Sequence, residues 1–598
     1  MTQWKMCRLL RDNWFWLLAA VLVVVSVVLG VWGLVCTPVG KCPRDVWDIL
    51  YNLVCLFQVE SSNLPDRVPP QLAIARLTAP LAAGLVLVKA LLVLFKKQVE
   101  LGRLKWRRNH VVICGLGRKG LEFARNYRNK GLRVVVVDLA EGTEEVESCR
   151  QMGITLLEGD GRTRSMLRRA RVSHAAKLIL TCGDDAVNLE IAMAAHEIVQ
   201  TRRPQGMEAL KCHVHVADRA LCEQFRRHKL FSRAEQDNPF ALRLLNVYEM
   251  TAERLLEQYP PDREGVGRED LREARLVVLG CGQMGESLIL QAARIGHFAN
   301  CRPVRITVVD LEARERERQL LRRYPGLANC CGLEFVEGGV EHPDVMARVF
   351  SIMRDKGGIT TVAVCFDSDS HSLLCALNLA TSFYDAQDGG KKGAVDTPVL
   401  VRLVEEAGLK AFNSALVKKS GEGWERLLHP FGALGDICNP ETLENDSVYG
   451  MAKQVHEGYR NYRFSLGDKE GDDPSLRPWD LLRPDLQDSN RHQACHMPVK
   501  LRAVGCEAVP EASPRPLAQF TDGEVECLAR MEHNRWNAER WLAGWRLGSP
   551  KDTANKVSPW LIPWDDLPPN IREYDLEAVR MIPDVLRVVG QRLARVGD

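Results

Sequence analysis

Residues 111–121 read VVICGLGRKGL, and residues 276–286 read LVVLGCGQMGE. Each stretch is an apolar run followed by glycines in the spacing G-x-G-x-x-G, and the second begins 165 residues after the first. A strand that enters such a turn and opens a helix brings backbone amides close to a phosphate, because glycine has no side chain to block the approach. The repeat therefore predicts two nucleotide-binding α/β units in one chain.

A second apolar strand follows each glycine turn and ends in an acidic residue. The strand RVVVVD ends at Asp138 in the first copy, and RITVVD ends at Asp310 in the second. A carboxylate at this place can accept hydrogen bonds from ribose hydroxyls. We expect NAD or another adenine nucleotide as ligand, more in the first copy than in the second, because a longer segment precedes Asp310. The predicted cofactor-binding residues are Gly115, Gly117, Gly120, Asp138, Asp160, Thr181, Gly280, Gly282, Gly285 and Asp310.

The two copies stay parallel further downstream. AAKLILTCGDDAVNL (175–189) is matched by ITTVAVCFDSDSHSL (359–373), and KCHVHVAD (211–218) is matched by TPVLVRLV (397–404). Buried strands that alternate with helices are typical of doubly wound parallel sheets. The predicted fold class is α/β, with two tandem Rossmann-like domains, a preceding two-helix transmembrane hairpin and a small, mainly helical domain at the end.

The chain has 598 residues and is too long for one hydrophobic core. We place the transmembrane hairpin at 1–109, the first Rossmann domain at 110–265, the second at 274–420 and the helical domain at 436–598. Within the first domain, residues 238–259 (NPFALRLLNVYEMTAERLLEQY) are predicted to form a plain amphipathic helix.

Several classes of protein find no support in the sequence. A dehydrogenase needs a general acid or base beside the nicotinamide, and no such constellation accompanies the glycine turns, so we expect no catalytic residues. The 19 cysteines include no C-x-x-C pair, and the formal net charge of +3 indicates nothing about nucleic acid. We expect neither a metal site nor a nucleic-acid partner.

The N-terminal region predicts a membrane hairpin. Residues 14–36 contain no charge over 23 positions, which is about 35 Å of helix. Residues 77–95 (LTAPLAAGLVLVKALLVLF) form the second predicted span and contain Lys89. Basic residues precede the first span and follow the second, which places both termini in the cytoplasm. The predicted localisation is the cell inner membrane, with two spans.

Residues 46–57 (VWDILYNLVCLF) between the spans have helical apolar spacing but are too short to cross a bilayer. Two interpretations stay open: a re-entrant pore segment, or an amphipathic helix on the outer surface. No TVGYG-type filter follows. Glu60, as an acidic ring in an oligomer, and Lys89, facing a lumen, are the pore candidates, although Lys89 could equally extend its amine to the cytosolic interface.

The strand, turn and acid patterns, together with the TCGDDAVNLEIA segment at 181–192, resemble RCK domains, the NAD-binding regulators of potassium conductance on bacterial channels and Trk-type uptake systems. The resemblance covers about half the chain. It implies that these domains pair into a ring beneath the lipid bilayer, and that the diameter of this ring changes when ligand binds. Two copies in each chain imply a homo-tetramer.

The C-terminal region resembles the RyR domain, a small helical repeat named from ryanodine receptors. The stretches that carry this resemblance are 451–460, 489–501, 528–548 and 559–575. The resemblance implies a sensor of a small nucleotide-derived ligand. Aromatic rings beside arginines could stack a base and hold phosphates, whereas the alternative is a helical core that uses tryptophan as bulk. The ligand candidates are Arg491, Arg535, Trp536 and Trp545.

The domain order predicts a membrane ion channel or potassium-transport protein that nucleotide-like ligands gate through tandem RCK domains and a RyR sensor. The alternative is a membrane-anchored nucleotide sensor or assembly protein that conducts nothing. The histidines of the last domain (His456, His492, His496 and His533) lack the spacing of a metal site.

Overall fold

The computed structural model describes residues 2–36, 45–58, 68–94, 102, 104–139, 142–218, 221–222, 225, 238–385, 397–405, 408, 410, 412, 424–444 and 447–597. The chain forms two compact units, Met1–Arg107 and Arg108–Asp598. Each unit is described by itself below.

The first unit is helical, with α1 (Thr2–Val35), α2 (Val46–Phe57) and α3 (Pro70–Leu94). The stretches Leu18–Val35 and Pro70–Leu91 are long and apolar enough to cross a membrane. Helix α3 begins at Pro70, seven residues before the predicted second span, and carries Pro80 in its interior. The short apolar segment between the spans is a helix, as its spacing predicts.

Small residues bring α1 and α3 into contact. A Cβ on Gly33 would lie 2.8 Å from the Cβ of Leu72, so only glycine permits this approach. The hydroxyl of Ser26 is fully buried and pairs with the hydroxyl of Thr78 at 2.7 Å. Close packing and interhelical hydrogen bonds of this kind hold membrane helices together, because lipid provides no hydrophobic drive between them.

The first sheet of the second unit is parallel and has the order β3-β2-β1-β4-β5-β6. Its strands are β1 (Val111–Cys114), β2 (Val134–Asp138), β3 (Thr155–Glu158), β4 (Lys177–Leu180), β5 (Leu210–His215) and β6 (Phe240–Leu245). Its helices are α4 (Arg118–Asn129), α5 (Glu144–Gln151), α6 (Arg164–Arg169), α7 (Asp185–Arg202) and α8 (Val247–Gln258).

The prediction of one amphipathic helix over 238–259 is wrong, because this segment contains β6 and then α8. Asn246 separates the two elements, since its side chain accepts from the amides of Tyr248 and Glu249 and caps α8. Strand β6 pairs with β5 along its whole length, from Phe240 to Leu245. A short apolar run does not by itself distinguish a strand from a helix, and here the edge of the sheet decides.

The second sheet repeats this arrangement with the order β9-β8-β7-β10-β11-β12. Its strands are β7 (Glu273–Leu279), β8 (Arg305–Asp310), β9 (Gly332–Glu337), β10 (Gly358–Val364), β11 (Val399–Arg402) and β12 (Leu428–Phe431). Its helices are α9 (Gln283–Ile295), α10 (Ala313–Arg323), α11 (Pro343–Arg354) and α12 (Asp369–Asp385). Both orders are that of the Rossmann fold, which confirms the predicted fold class. Strand β12 lies beyond residue 420, where the sequence placed the end of this domain.

The C-terminal part is mainly helical. Its helices are α13 (Leu434–Ile437), α14 (Pro440–Glu444), α15 (Ser447–Ser465), α16 (Pro484–Ala503), α17 (Asp522–Leu542), α18 (Pro569–Arg580) and α19 (Ile582–Val588). Short strands join them: β13 (Cys506–Pro510) pairs antiparallel with β16 (Gln591–Arg595), and β14 (Arg546–Leu547) pairs with β15 (Val557–Ser558).

The helical domain shares one hydrophobic core with the second Rossmann domain. This core runs from Leu288 on α9 to Met497 on α16 and Leu528 on α17. A Cβ on Gly326 would lie 2.4 Å from the carbonyl oxygen of Trp541, so the two backbones touch at this point. The last two domains therefore pack as one body.

The segment α13–α14, which links β12 to the helical domain, packs against the first Rossmann domain. Asn126 on α4 donates to the carbonyl oxygens of Gly435 and Cys438 at 3.1 and 3.0 Å. Lys130, just after α4, pairs with Glu441 at 2.7 Å. The helix that follows the first glycine turn is thus tied to the connection that leads into the C-terminal domain.

Candidate functional site

The first glycine turn is shaped by two close approaches of the backbone. Gly115 has φ +94°, and a Cβ there would lie 2.5 Å from the amide nitrogen of Cys182. A Cβ on Gly120 would lie 1.9 Å from the carbonyl oxygen of Gly115. Both positions therefore require glycine, as the G-x-G-x-x-G spacing predicts.

Gly117 lies at the N-cap of α4, and no side chain caps this end of the helix. A Cβ placed on Gly117 would meet no atom within 4 Å, so the N-terminus of α4 faces open space. Unpaired amides and the positive end of the helix dipole favour an anion here. We call the Gly115–Gly120 turn with this helix end the first cradle, and the Gly280–Gly285 turn with the N-terminus of α9 the second cradle.

The acid at the end of the second strand is tied to its turn in both copies. Asp138 accepts from the amide of Leu116 at 2.5 Å, and Asp310 accepts from the amide of Cys281 at 2.7 Å. These carboxylates therefore lie beside the glycine turns, where ribose hydroxyls would reach them. The structure brings together the glycines and acids that the sequence predicted, in both cradles.

Thr181 and Asp160, also predicted to bind cofactor, have partners within the protein. Thr181 is buried and donates to the carbonyl oxygen of Gly115 at 3.1 Å, which helps to shape the turn. Asp160 accepts hydrogen bonds from the guanidinium of Arg162, and these bonds hold the pKa of its carboxyl below the ordinary value. Their direct contact with a ligand stays a prediction.

Three residues near the first cradle were missed by the sequence analysis. Lys119 Nζ lies 3.0 Å from His215 Nε2, and it also lies 5.3 Å from the ring centre of Tyr248. Burial lowers the pKa of Lys119, while burial and then the Lys119 charge lower the pKa of His215 to about 3. These residues come from α4, β5 and α8, so no local sequence pattern joins them.

The second cradle has different neighbours from the first. Strands β4 and β10 occupy the same place in the two sheets, because Leu180 pairs with Cys114 on β1 and Val364 pairs with Leu279 on β7. Counting from these strand ends, Phe366 corresponds to Cys182 and Asp367 corresponds to Gly183. The Asp367 carboxylate pairs with Arg402 at 2.6 Å, and the Arg402 guanidinium lies 5.8 Å from the Tyr248 ring centre. Tyr248 is therefore in contact with Lys119 of the first cradle and with Arg402 beside the second.

A cavity of about 520 Å³ lies at the carboxyl ends of β4 and β5. Asp185 closes one side, because its carboxylate accepts from the amide of Asp218 at 2.8 Å. Gln283, the first residue of α9, brings the second domain into the lining. The cavity therefore lies between the two Rossmann domains, beside the turn after β4, and β4 pairs with the strand β1 that leads into the first cradle. Its lining residues are Gly183, Asp184, Asp185, Ala186, Ala217, Asp218, Leu221 and Gln283.

Arg535, one of the predicted ligand residues of the last domain, lies in the core with 2% of its surface exposed. Its guanidinium donates to Glu532 at 2.8 and 3.0 Å and to Glu539 at 2.6 Å. Lys500 completes this network, since its ammonium donates to Glu532 at 2.5 Å. Arg535 is therefore part of a buried ion-pair network and is not exposed on a binding surface.

Trp536 and Trp545 both contact a different arginine, Arg540. The guanidinium of Arg540 lies 5.3 Å from the Trp536 ring centre and 5.0 Å from that of Trp545. All three side chains are half-buried. Arg491 lies elsewhere, because it pairs with Glu253 of α8 at 2.6 Å. The four predicted ligand residues therefore do not converge, and Arg540 joins the two tryptophans instead.

The remaining candidates fall as follows. Lys89 is half-buried in α3, and Glu60 lies outside the described residues. Among the residues that the structure describes, no three His, Cys, Asp or Glu side chains are grouped to hold a metal ion. His456, His496 and His533 each pair with a backbone carbonyl oxygen, at 2.7, 3.0 and 2.7 Å.

Comparison with known families fits this geometry. Residues 111–227 match the family model of the TrkA-N domain, and residues 515–595 match that of the RyR domain. The chain contains a TrkA-N domain and a RyR domain. The TrkA-N match includes β1 to β5 and the first cradle. The RyR match includes α17 to β16 and leaves out the two earlier stretches, 451–460 and 489–501, in which the sequence showed a resemblance.

Two curated relatives are archaeal proteins. The chain is 26% identical over 136 residues to potassium channel protein 1 of Methanocaldococcus jannaschii, covering 21% of this chain and 40% of that protein. It is 26% identical over 115 residues to probable potassium channel protein 2 of the same organism, covering 18% of this chain and 33% of that protein. The chain spans well under half the length of these relatives.

Solved structures that match the chain include the GsuK channel bound to NAD, with 12% identity and a TM-score of 0.37, covering 74% of this chain and 84% of that one. The human SLO3 gating ring has 9% identity and a TM-score of 0.36, covering 57% of this chain and 83% of that one.

Proposed function

We propose that this chain is a membrane-anchored regulator of ion transport that responds to a nucleotide. The observation that carries the proposal is the first cradle, where close packing at Gly115 and Gly120 leaves the N-terminus of α4 open at Gly117. The TrkA-N match over residues 111–227 and the similarity to two proteins named as potassium channels support potassium as the ion.

The ligand proposed for the first cradle is NAD or another adenine nucleotide. The amides at the start of α4 would hold its phosphates, and Asp138 would accept from a ribose hydroxyl. The cavity beside Gly183 and Asp185 offers room for the second half of a dinucleotide. Because Gln283 of the second domain lines that cavity, a dinucleotide would contact both Rossmann domains and favour one arrangement of them.

The RyR domain is proposed as a second input, with Trp536, Arg540 and Trp545 as its ligand-contacting group. A base stacks on indole and a phosphate pairs with guanidinium, so this cluster suits a nucleotide-derived ligand. The physical route to the first cradle is the α13–α14 segment, which is bonded to Asn126 on α4. A ligand acts through this route only as far as it prefers one state over the other.

Membrane anchoring through α1 and α3 is part of the proposal, in the inner membrane with both termini in the cytoplasm. Apolar side chains on the outer faces of these helices suit lipid or neighbouring copies, and a homo-tetramer would place four pairs of Rossmann domains in one ring. These exposed side chains are Leu18, Val21, Val24, Val28, Leu77, Leu81 and Leu87.

A non-conducting nucleotide sensor anchored in the membrane is the second candidate. It is favoured by the polar groups at the α1–α3 contact, because the hydroxyls of Ser26 and Thr78 pair with each other. A channel would instead need a polar stripe that lines a path for the ion.

The test is potassium flux from liposomes that contain the whole 598-residue chain. NAD, NADH, ADP-ribose and ATP are added one at a time, and Gly117→Asp is the matched control. We expect one nucleotide to change the flux in wild type and not in the control variant. Binding of a nucleotide without flux under any condition would move the assignment to the anchored sensor. The absence of both binding and flux would overturn both candidates.

A further inference from the structure

The second cradle carries an acidic side chain where the first has none. Gly183, which follows β4, meets no atom within 4 Å of a Cβ built on it. The corresponding residue after β10 is Asp367, whose Oδ2 lies 3.9 Å from a Cβ built on Gly282. The Asp367 carboxylate therefore lies beside the N-terminus of α9, at the place where a bound phosphate would contact the second cradle.

A buried arginine holds this carboxylate in place. The Arg402 side chain is 9% exposed and donates to the Asp367 carboxylate at 2.6 Å, whereas the Asp367 side chain is 86% exposed. Arg402 also donates to the carbonyl oxygen of Phe366 at 3.0 Å, which fixes the backbone next to Asp367. The exposed carboxylate of Asp367 thus balances the charge of the buried Arg402 guanidinium.

An aromatic pair fixes the segment that carries Asp367. The Phe366 ring stacks on His371, with ring centres 4.3 Å apart and planes 6° from parallel. The same ring lies against the glycine turn, since a Cβ on Gly280 would be 2.9 Å from its Cδ1 atom. Cys182 stands at this place in the first cradle, where it puts no ring beside the turn.

We propose that Asp367 takes the place of a phosphate in the second cradle, so that each chain binds one nucleotide, at the first cradle. The inference rests on the proposed function for the nucleotide stoichiometry. A phosphate that entered the second cradle would have to displace Asp367 from Arg402 and would meet its negative charge. The second Rossmann domain then binds no nucleotide. It responds to a nucleotide in the first cradle through contacts such as that of Arg402 with Tyr248.

The proposal predicts that reciprocal substitutions exchange the phosphate-binding properties of the two cradles. Asp367→Gly leaves a buried arginine beside an open helix N-terminus, which is a combination that binds phosphate. Gly183→Asp places a carboxylate at the mouth of the first cradle, where the open space accommodates the side chain. We expect the first substitution to create a site and the second to remove one.

The experiment measures binding stoichiometry on the whole 598-residue chain in detergent, by calorimetry with NAD and separately with inorganic pyrophosphate. Pyrophosphate is included because it tests the anion site without requiring room for a base. We expect one site in wild type, none in Gly183→Asp, two pyrophosphate sites in Asp367→Gly and one in the double variant. Asp367→Asn removes the charge and keeps the size. We expect it also to bind two pyrophosphates, so it replaces Asp367→Gly if that variant fails to fold.

The outcomes separate this inference from the proposed function. Two sites in wild type would overturn the inference and leave the proposed function standing. One site in wild type with no gain in either folded Asp367 variant would show that Asp367 does not occupy the cradle. No site in wild type would count against the proposed function, and the Asp367 variants would then decide the inference alone, with one site supporting it and none refuting it.

Discussion

The backbone amide of Leu116 donates to the carboxylate of Asp138 at 2.5 Å, so the acid that ends β2 also fixes the first glycine turn. This double role separates two substitutions. Asp138→Asn keeps an oxygen that accepts from Leu116 but loses the charge, and we expect roughly tenfold weaker nucleotide binding at unchanged stability. Asp138→Ala removes both, so the midpoint of thermal unfolding should also fall. Calorimetry and thermal unfolding measure the two effects, with Asp310→Asn as the matched control that leaves first-cradle affinity unchanged.

The glycines of the first cradle should respond differently to the same added methyl group. Gly117→Ala places a Cβ in open space, whereas Gly120→Ala places it 1.9 Å from the carbonyl oxygen of Gly115. We expect Gly117→Ala to unfold like wild type, and Gly120→Ala to lose about 1–3 kcal/mol or more, as overpacked interiors do. Chemical denaturation of the solubilised protein measures the difference. Equal stability of the two variants would show that the turn relaxes at little cost.

Gly117→Asp extends the same argument from stability to binding. Its carboxylate would lie at the N-terminus of α4, where it would satisfy the helix and repel a phosphate. We therefore expect lost nucleotide affinity without lost stability, measured by calorimetry beside thermal unfolding. The control is Gly282→Asp in the second cradle, where Asp367 already stands close by. Unchanged affinity in Gly117→Asp would place the nucleotide elsewhere.

Local sequence patterns predicted the parts of the fold that local chemistry determines. The glycine spacing located both turns, and RVVVVD and RITVVD located both acids, because strand, turn and helix follow one another along the chain. The strand at 240–245 was missed since its identity depends on pairing with β5, which is remote in the sequence. The burial of Arg535 and the contact of Arg402 with Asp367 were missed for the same reason. Only the folded chain brings these partners together.

Glu524 should make stability depend on pH in the acidic range. It completes a capping box with Thr521 at the start of α17, and its bonds with Arg595 lower its pKa from 4.5 to about 2. A carboxyl whose folded pKa is depressed stabilises the fold above its unfolded pKa and loses that contribution as pH falls toward the folded value. Glutamine retains the capping pattern but not the charge. The unfolding midpoint of wild type should therefore exceed that of Glu524→Gln at pH 7, by a margin that shrinks below about pH 4.5. A margin independent of pH would contradict this origin.

The buried charge network around Arg535 predicts that one substitution lowers the free energy of unfolding and that a second substitution restores part of it. Lys500 and Glu532 have side chains only 1% and 3% exposed, so Lys500→Met leaves an excess negative charge inside the helical domain. Breaking a buried pair on one side costs about 3–5 kcal/mol. Lys500→Met/Glu532→Gln removes the excess charge and leaves Arg535 with Glu539, so it should recover part of the loss. Denaturant unfolding of both variants measures this, and a double variant no more stable than the single one would refute the charge argument.

Arg540 distinguishes a structural role for the two tryptophans from a binding role. Its guanidinium lies over the rings of both Trp536 and Trp545, and a cation on an indole face contributes about 0.5–2 kcal/mol. If the cluster only stabilises the domain, Arg540→Lys and Arg540→Gln should differ from wild type in unfolding alone. We expect instead that both variants fold and lose the flux response to the nucleotide-derived ligand proposed for the RyR domain, while NAD binding at the first cradle persists. A folding defect would diminish both responses together, so loss of one response alone distinguishes a binding role from a structural one.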